Sequence, residues 1–121
     1  MSAPNIVNVT TITGKIFYDA LADTNLTSLV LNPASSGKVL KINALTAANV
    51  DGTNAATTTA VGSTVSSTGY AIASTIAVPA DATLVVISKD TSIYMEESSV
   101  LAVKASAAND IVFVVSYEEI S

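Results

Sequence analysis

The chain is divided from end to end into short runs of apolar or alternating residues, each closed by Gly, Pro, Asn, Asp or Ser. These runs recur at intervals of roughly 8 to 12 residues. Val, Ile and Thr are abundant in them, and β-branched side chains fit a pleated sheet better than a helix. The eight or nine runs predict an all-β fold, an antiparallel β-sandwich or jelly-roll-like structure. With 121 residues, we expect a single domain over residues 1–121.

The N-terminal part, residues 1–33, is predicted to form a strand and a hairpin. Residues 6–12 alternate in polarity, as an edge or interface strand does. Residues 16–21 and 26–32 are apolar runs on either side of a turn-forming segment, so a hairpin is expected there. A loop rich in Ser, Pro and Gly then leads into the main sandwich, residues 38–120.

Four stretches of the main sandwich carry most of the pattern. Residues 38–48 and 70–78 alternate between larger apolar side chains and small or polar ones, which predicts strands with one buried face. Residues 55–67 are rich in Ala, Thr and Ser, so we expect only a weak strand around Thr57 to Val61, followed by a flexible loop. Residues 111–117 are apolar on both faces, which predicts cover on both sides by a second layer or another subunit.

The charge of the chain argues against nucleic acid as a partner, and its hydropathy argues against a membrane. All five cationic residues are Lys, and the net charge is −5. Nucleic-acid binding needs clustered Lys and Arg, which this sequence lacks. No window approaches the roughly 20 apolar residues of a membrane span, and the first residues do not resemble a secretion signal. We therefore expect neither a nucleic-acid nor a membrane partner.

The sequence offers few of the residue types that enzymes use for catalysis. There is no His and no Cys, which removes the commonest general base and most transition-metal ligands. The adjacent pairs Glu96-Glu97 and Glu118-Glu119 would point to opposite faces of a strand. Residues 49–54 could offer oxygen atoms to Ca²⁺, but their spacing differs from an EF-hand loop and favours a turn. The chain is predicted not to be an enzyme and to hold no metal or cofactor.

The aromatic residues divide into core and interface candidates. Tyr70 and Phe113 fall on apolar faces, where packing in the core is the default expectation. Tyr94 and Tyr117 lie near strand ends beside Glu, where a tyrosine can also contact a partner. Together with the apolar face of Val112 and Val114, they form the predicted interaction site.

Several strand and turn motifs resemble those of small β-sandwich virion structural proteins of tailed bacteriophages, most closely versions from marine cyanophages. They are Gly37-Lys38-Val39-Leu40-Lys41-Ile42-Asn43, Asn49-Val50-Asp51-Gly52, Tyr70-Ala71-Ile72-Ala73, Val78-Pro79-Ala80-Asp81, Ile93-Tyr94-Met95-Glu96-Glu97, Leu101-Ala102-Val103-Lys104-Ala105-Ser106 and Ser116-Tyr117-Glu118-Glu119-Ile120. Ser98-Ser99 stands where such proteins carry Gly-Asp. The resemblance covers about two-thirds of the chain and transfers no catalytic residue.

The resemblance implies a structural role in the virion. With the low charge and apolar faces, it leads us to expect a capsid decoration or cement protein. Its partners would be further copies of itself, as a homo-oligomer and specifically a trimer, and the major capsid protein or another virion protein. A neck, tail or fibre component is the alternative within the virion. A carbohydrate-binding β-sandwich is a third possibility, although the chain lacks Trp.

Overall fold

A computed structural model describes residues 11–64 and 69–121, which contain nine strands and one short 3-10 turn, Lys89–Thr91. The strands are β1 Ile12–Ala20, β2 Thr27–Asn32, β3 Val39–Asn49, β4 Ala56–Thr64, β5 Tyr70–Val78, β6 Thr83–Ile87, β7 Ile93–Met95, β8 Ser99–Ala105 and β9 Ile111–Ile120. Within these two ranges, no helix has the length and apolar character needed to cross a membrane.

The strands form two antiparallel sheets. Sheet A has the order β1-β9-β3-β6, with β7 also paired to β3, and sheet B has the order β2-β8-β4-β5. The pairing is nested, because β1 pairs with β9, β2 with β8, β3 with β6 and β7, and β4 with β5. A long hairpin folded over on itself gives this arrangement, which is the jelly roll. The predicted all-β sandwich is confirmed.

The core lies between the two sheets and is built from alternate residues of the strands. On β9, Ile111, Phe113 and Val115 are fully buried, so the core position predicted for Phe113 is confirmed. On β3, a register shift between Ile42 and Ala44 changes the phase of the strand, so that both Ile42 and Leu45 face inward. Sheet B contributes the other half of the core, including Leu29, Val30, Ala56, Ala60, Val78, Leu101, Val103 and Ala105.

Two buried asparagines tie the sheets together. Asn32, at the end of β2, donates its side-chain amide to the carbonyl oxygen of Met95 on β7 at 3.1 Å. Asn49, at the end of β3, donates in the same way to the carbonyl oxygen of Val78 on β5 at 2.9 Å. Each side chain also donates to a loop carbonyl and accepts a hydrogen bond on its oxygen. A buried amide is stable only when it is satisfied in this way.

The predicted hairpin of residues 16–21 and 26–32 is wrong, because β1 lies in sheet A and β2 in sheet B. Leu21, between β1 and β2, is buried where the chain passes from sheet A to sheet B. Its N–H donates to the carbonyl oxygen of Ile111 at 3.2 Å, and its own carbonyl accepts from the N–H of Asn109 at 2.7 Å. The strand predicted at residues 6–12 lies outside the described residues except for its last two positions.

In the low-complexity stretch, residues 55–67, the predicted strand is confirmed, but it is longer than expected and is not weak. Its first part is β4, an interior strand of sheet B between β8 and β5. Ala56, Thr58 and Ala60 face the core and are almost fully buried. Small side chains are sufficient there because the opposite sheet supplies large ones such as Phe113. The loop predicted after this strand includes residues 65–68, which lie outside the described ranges.

Tyr70 is 81% exposed, so its predicted core position is wrong. It begins β5, an edge strand of sheet B on which only Val78 is buried. The expected alternation along residues 70–78 fails because the pairing of β5 with β4 contains register shifts. Thr75 has a φ of 47°, which also breaks the regular pleat.

We predict that Asn49→Ala lowers the free energy of unfolding by about 1–3 kcal/mol, because it leaves the carbonyl of Val78 without its buried donor. Urea unfolding followed by circular dichroism measures this. Asn25→Ala, at an exposed position, is the control and should change the stability by less than about 0.5 kcal/mol. Equal stability of the two variants would contradict a bridging role for Asn49.

We predict that Thr58→Val stabilises the protein by roughly 1–2 kcal/mol. The Thr58 hydroxyl is buried and has no hydrogen-bond partner among the described residues. The neighbouring Thr59→Val should not stabilise, since the Thr59 hydroxyl accepts a hydrogen bond from the N–H of Thr75 at 3.0 Å. Thermal and urea unfolding of both variants test this, and a loss of stability in Thr58→Val would contradict it.

Candidate interaction surface

The outward side of sheet A has five rows of residues, because residues paired across antiparallel strands point to the same side. The fifth row, Ile12, Ile120 and Val39, lies at one end. The other four rows form one surface. We call it the outer face. Its rows are Ala20, Val112, Ala48 and Thr83; Tyr18, Val114, Thr46 and Val85; Ile16, Ser116 and Ala44; and Gly14, Glu118, Lys41 and Tyr94.

The first three rows of the outer face contain no charged side chain. Ile16, Tyr18 and Val85 are 53%, 63% and 58% exposed, and the valines of β9 between them are half-buried. Small Ala, Ser and Thr side chains fill the remaining positions. An apolar exposed surface that is continuous over several strands is typical of a protein contact site.

Three of the four predicted interface residues lie on the outer face. Val112 and Val114 occupy its first two rows, and Tyr94 lies in the fourth. Tyr117 does not join them, because it is an odd number of residues from Val114 along β9 and therefore points the other way. It pairs with the buried Ile42 and packs against the core.

The fourth row gives the outer face a polar border on one side, next to the fifth row. The Lys41 ammonium lies 5.9 Å from the centre of the Tyr94 ring, within the range of a cation–π contact. Glu118 is opposite Lys41 on the neighbouring strand, where the charges are complementary. An apolar centre with a polar border is the usual organisation of a protein interface.

Glu119 points to the other side of β9 from Glu118, as the sequence predicts for adjacent residues. Its carboxylate lies 2.7 Å from the Lys38 ammonium and 3.1 Å from that of Lys15. Hydrogen bonds from Lys38 and then Lys15 hold the pKa of Glu119 below its ordinary value. The hydrogen bond with Glu119 raises the pKa of Lys15. These contacts join β1, β9 and the segment before β3.

Sequence reasoning missed Ile16, Tyr18 and Val85, which are the most exposed apolar residues of the first three rows. Ile16 and Tyr18 were assigned to a hairpin, so their neighbours were expected on the wrong strand. The alternation within β1 did place them on one face. Only the pairing of β1 with β9 shows that this face is continuous with Val112 and Val114.

Two hollows lie away from the outer face. One, of about 400 Å³, is lined by hydroxyls and one ammonium: Thr24, Thr57, Thr59, Thr75, Lys104, Ala105 and Ser106. The other, of about 290 Å³, is an apolar groove lined by Gly62, Ser63, Tyr70, Ile93, Met95, Ser99, Val100 and Leu101. Tyr70 lines this groove while Tyr94 points to the outer face, so the two tyrosines do not share a site.

The polar groups of residues 49–54 hold a turn. The side-chain oxygen of Asn49 accepts from the N–H of Asp51 at 3.0 Å, and the carboxylate of Asp51 accepts from the N–H of Thr53 at 2.9 Å. Glu97 likewise accepts from the N–H of Gly37 at 2.9 Å. In the described parts of the chain, no three acidic side chains come together as a metal site would require.

Comparison with known proteins supports the fold class. No family model matches the chain, and no curated protein sequence matches it. A chain of the acidic stable capsid structure of Helicobacter pylori bacteriophage KHP30 is similar in structure, with a TM-score of 0.51 and 10% identity. The similarity covers 94% of this chain and 90% of that chain. At this identity it shows a shared β-sandwich fold and nothing about individual residues.

We predict that Glu119→Gln flattens the acid limb of the stability curve. Because the pKa of Glu119 is lowered on folding, its contribution is present above the ordinary value of 4.5 and is lost as pH falls through the lowered pKa. The free energy of unfolding, measured in urea between about pH 2 and 7, should therefore fall less steeply in the variant. Glu96→Gln, at an exposed position, is the control. Identical slopes for Glu119→Gln and wild type would contradict the prediction.

Proposed function

We propose that this protein is a non-enzymatic structural component of a bacteriophage virion, a decoration or cement protein on the outside of the capsid. The observation that carries the proposal is the outer face, an exposed apolar surface without charge in its first three rows. Such a surface is suited to contact with another protein. The coarse part, a structural role in a phage virion, is supported by the likeness in fold to a chain of a phage capsid structure.

The sequence motifs support the finer part of the proposal. They resemble tailed-phage virion proteins, and those of marine cyanophages most closely. The partners would be the major capsid protein, or another virion protein, and further copies of this chain in a trimer. Tyr94, Val112 and Val114 would lie in the contact through the outer face. Tyr117, which packs against the core, would stand outside this contact.

The chemistry of the chain also supports a structural role. Without His or Cys, catalysis would depend on carboxylates, hydroxyls or Lys. Glu97, Glu119 and Asp51 instead hold loops and strand ends through hydrogen bonds and ion pairs. The carbohydrate-binding alternative loses its motivation, because Tyr70 and Tyr94 lie on separate surfaces. A neck, tail or fibre position remains the alternative within the virion.

The test is the location and number of copies of this chain in purified particles of the phage that encodes it. Quantitative mass spectrometry relative to the major capsid protein, with cryo-electron microscopy of the virion, measures both. We expect hundreds of copies on the outer surface of the head. A few copies confined to the tail would support the alternative position, and absence from the particle would overturn the proposal.

A matched pair of variants tests the surface itself. Val114→Asp places a charge at the centre of the outer face and should abolish binding to capsids that lack the protein, because burying an unpaired carboxylate costs several kcal/mol. Thr53→Asp, in an exposed turn outside the four rows of the outer face, should bind like wild type. Circular dichroism checks that both variants fold. Equal binding of the two would show that another surface makes the contact.

A further inference from the structure

β1 is an edge strand whose second edge is open among the described residues. It is the first strand in the order of sheet A and pairs with β9 alone. The pairing with β9 runs through nine residue pairs, from Ile12 to Ala20, without a register shift. β1 contains no proline. A long, regular edge of this kind presents backbone N–H and C=O groups in the spacing that another strand requires.

The other described edges of the two sheets are protected. β6 and β7, on the far side of sheet A, have only five and three residues. In sheet B, the pairing of β2 contains a register shift between Ser28 and Val30. The pairing of β5 contains two register shifts, and Thr75 on it has a positive φ. Short strands and bulges are the usual devices against edge pairing, and β1 has neither.

β1 is exposed on both of its faces, unlike an edge strand covered by the opposite sheet. Phe17, on the inward side, is 43% exposed, and Ile16 and Tyr18, on the outer face, are 53% and 63% exposed. Sheet B therefore does not cover β1.

The charges on β1 are self-complementary. Lys15 and Asp19 are the charged residues of this strand, and they lie two positions before and two positions after Phe17 on the same side of it. In an antiparallel pair of identical strands centred on Phe17, Lys15 of each copy is opposite Asp19 of the other. Ile16 is then opposite Tyr18 on the other side. A charged edge normally prevents pairing, but in this register the charges attract.

We propose that two copies of this chain associate through β1 in this register, with Phe17 on the two-fold axis, so that their A sheets become one continuous sheet. To reach the second copy, the Lys15 side chain turns away from Glu119. Glu119 then still has an ion-pair partner, because the Lys38 ammonium lies 2.7 Å from its carboxylate. The two outer faces then join across Tyr18 and Ile16 into one larger apolar surface. An isologous contact of this type closes after two copies.

The inference rests on β1 alone and does not depend on the proposed role in a virion. A contact on a two-fold axis is also compatible with a trimer formed through a different surface. For this reason the total mass of the assembly is not the deciding measurement, and the test reads the position of the contact.

Cysteine cross-linking reads that position directly, because the natural chain contains no Cys. Phe17→Cys places two thiols opposite each other beside the axis, with Cβ atoms about 4.5 Å apart, which a disulfide can bridge. Thr13→Cys is the control on the same side of the same strand, where the two thiols would be about 26 Å apart. Under mild oxidation we expect a disulfide-linked dimer from Phe17→Cys and little from Thr13→Cys.

A charge exchange tests the register independently. In the Phe17→Cys background, Asp19→Lys puts two Lys side chains opposite each other and should lower the yield of the disulfide-linked dimer at least ten-fold. Adding Lys15→Glu to Asp19→Lys restores opposite charges and should restore association. Asp90→Lys, with the same charge change outside β1, should leave it unaffected. Cross-linking equal at both cysteine positions, or failure of the double variant to recover, would overturn the proposal.

Discussion

The pairing of β3 with β9 is the contact on which the rest of the structure depends. Both strands are interior strands of sheet A, and both send fully buried residues into the core, such as Leu45 and Phe113. Because side chains alternate along a strand, the burial of one set determines the direction of the other. The core therefore also determines the outer face, where Thr46 and Val114 point outward as neighbours in one row.

The ends of the sandwich depend on polar contacts instead. Asn32 and Asn49 each bridge from one sheet to the other with buried, satisfied amides. A hydrophobic core is tolerant of small sliding movements between sheets, whereas a hydrogen bond requires particular atoms at about 3 Å. These two residues therefore define how the two sheets are aligned. The outer face, on the other side of sheet A, is fixed relative to sheet B by the same contacts.

Local patterns explain how far prediction from the sequence could go. The alternation in residues 38–48 and the apolar run in residues 111–117 correspond to β3 and β9, and the β-class followed from them. The hairpin predicted for residues 16–21 and 26–32 failed because its turn signal was local, while the partners of both strands lie roughly 70 to 110 residues away. The core position predicted for Tyr70 was wrong because an alternating pattern does not show whether a strand lies at the edge of a sheet.

The sequence by itself determined the all-β class, the absence of His and Cys chemistry, and the outward direction of Val112 and Val114 relative to Phe113. These depend on composition and on the two-residue period of a strand. Tertiary structure alone decided which strands are neighbours. It thereby joined Tyr18, Val114, Thr46 and Val85 in one row, turned Tyr117 to the core, and placed β1 at the edge of sheet A within residues 11–64 and 69–121. The reason is that pairing between distant strands is selected by the packing of the whole core, which no local pattern contains.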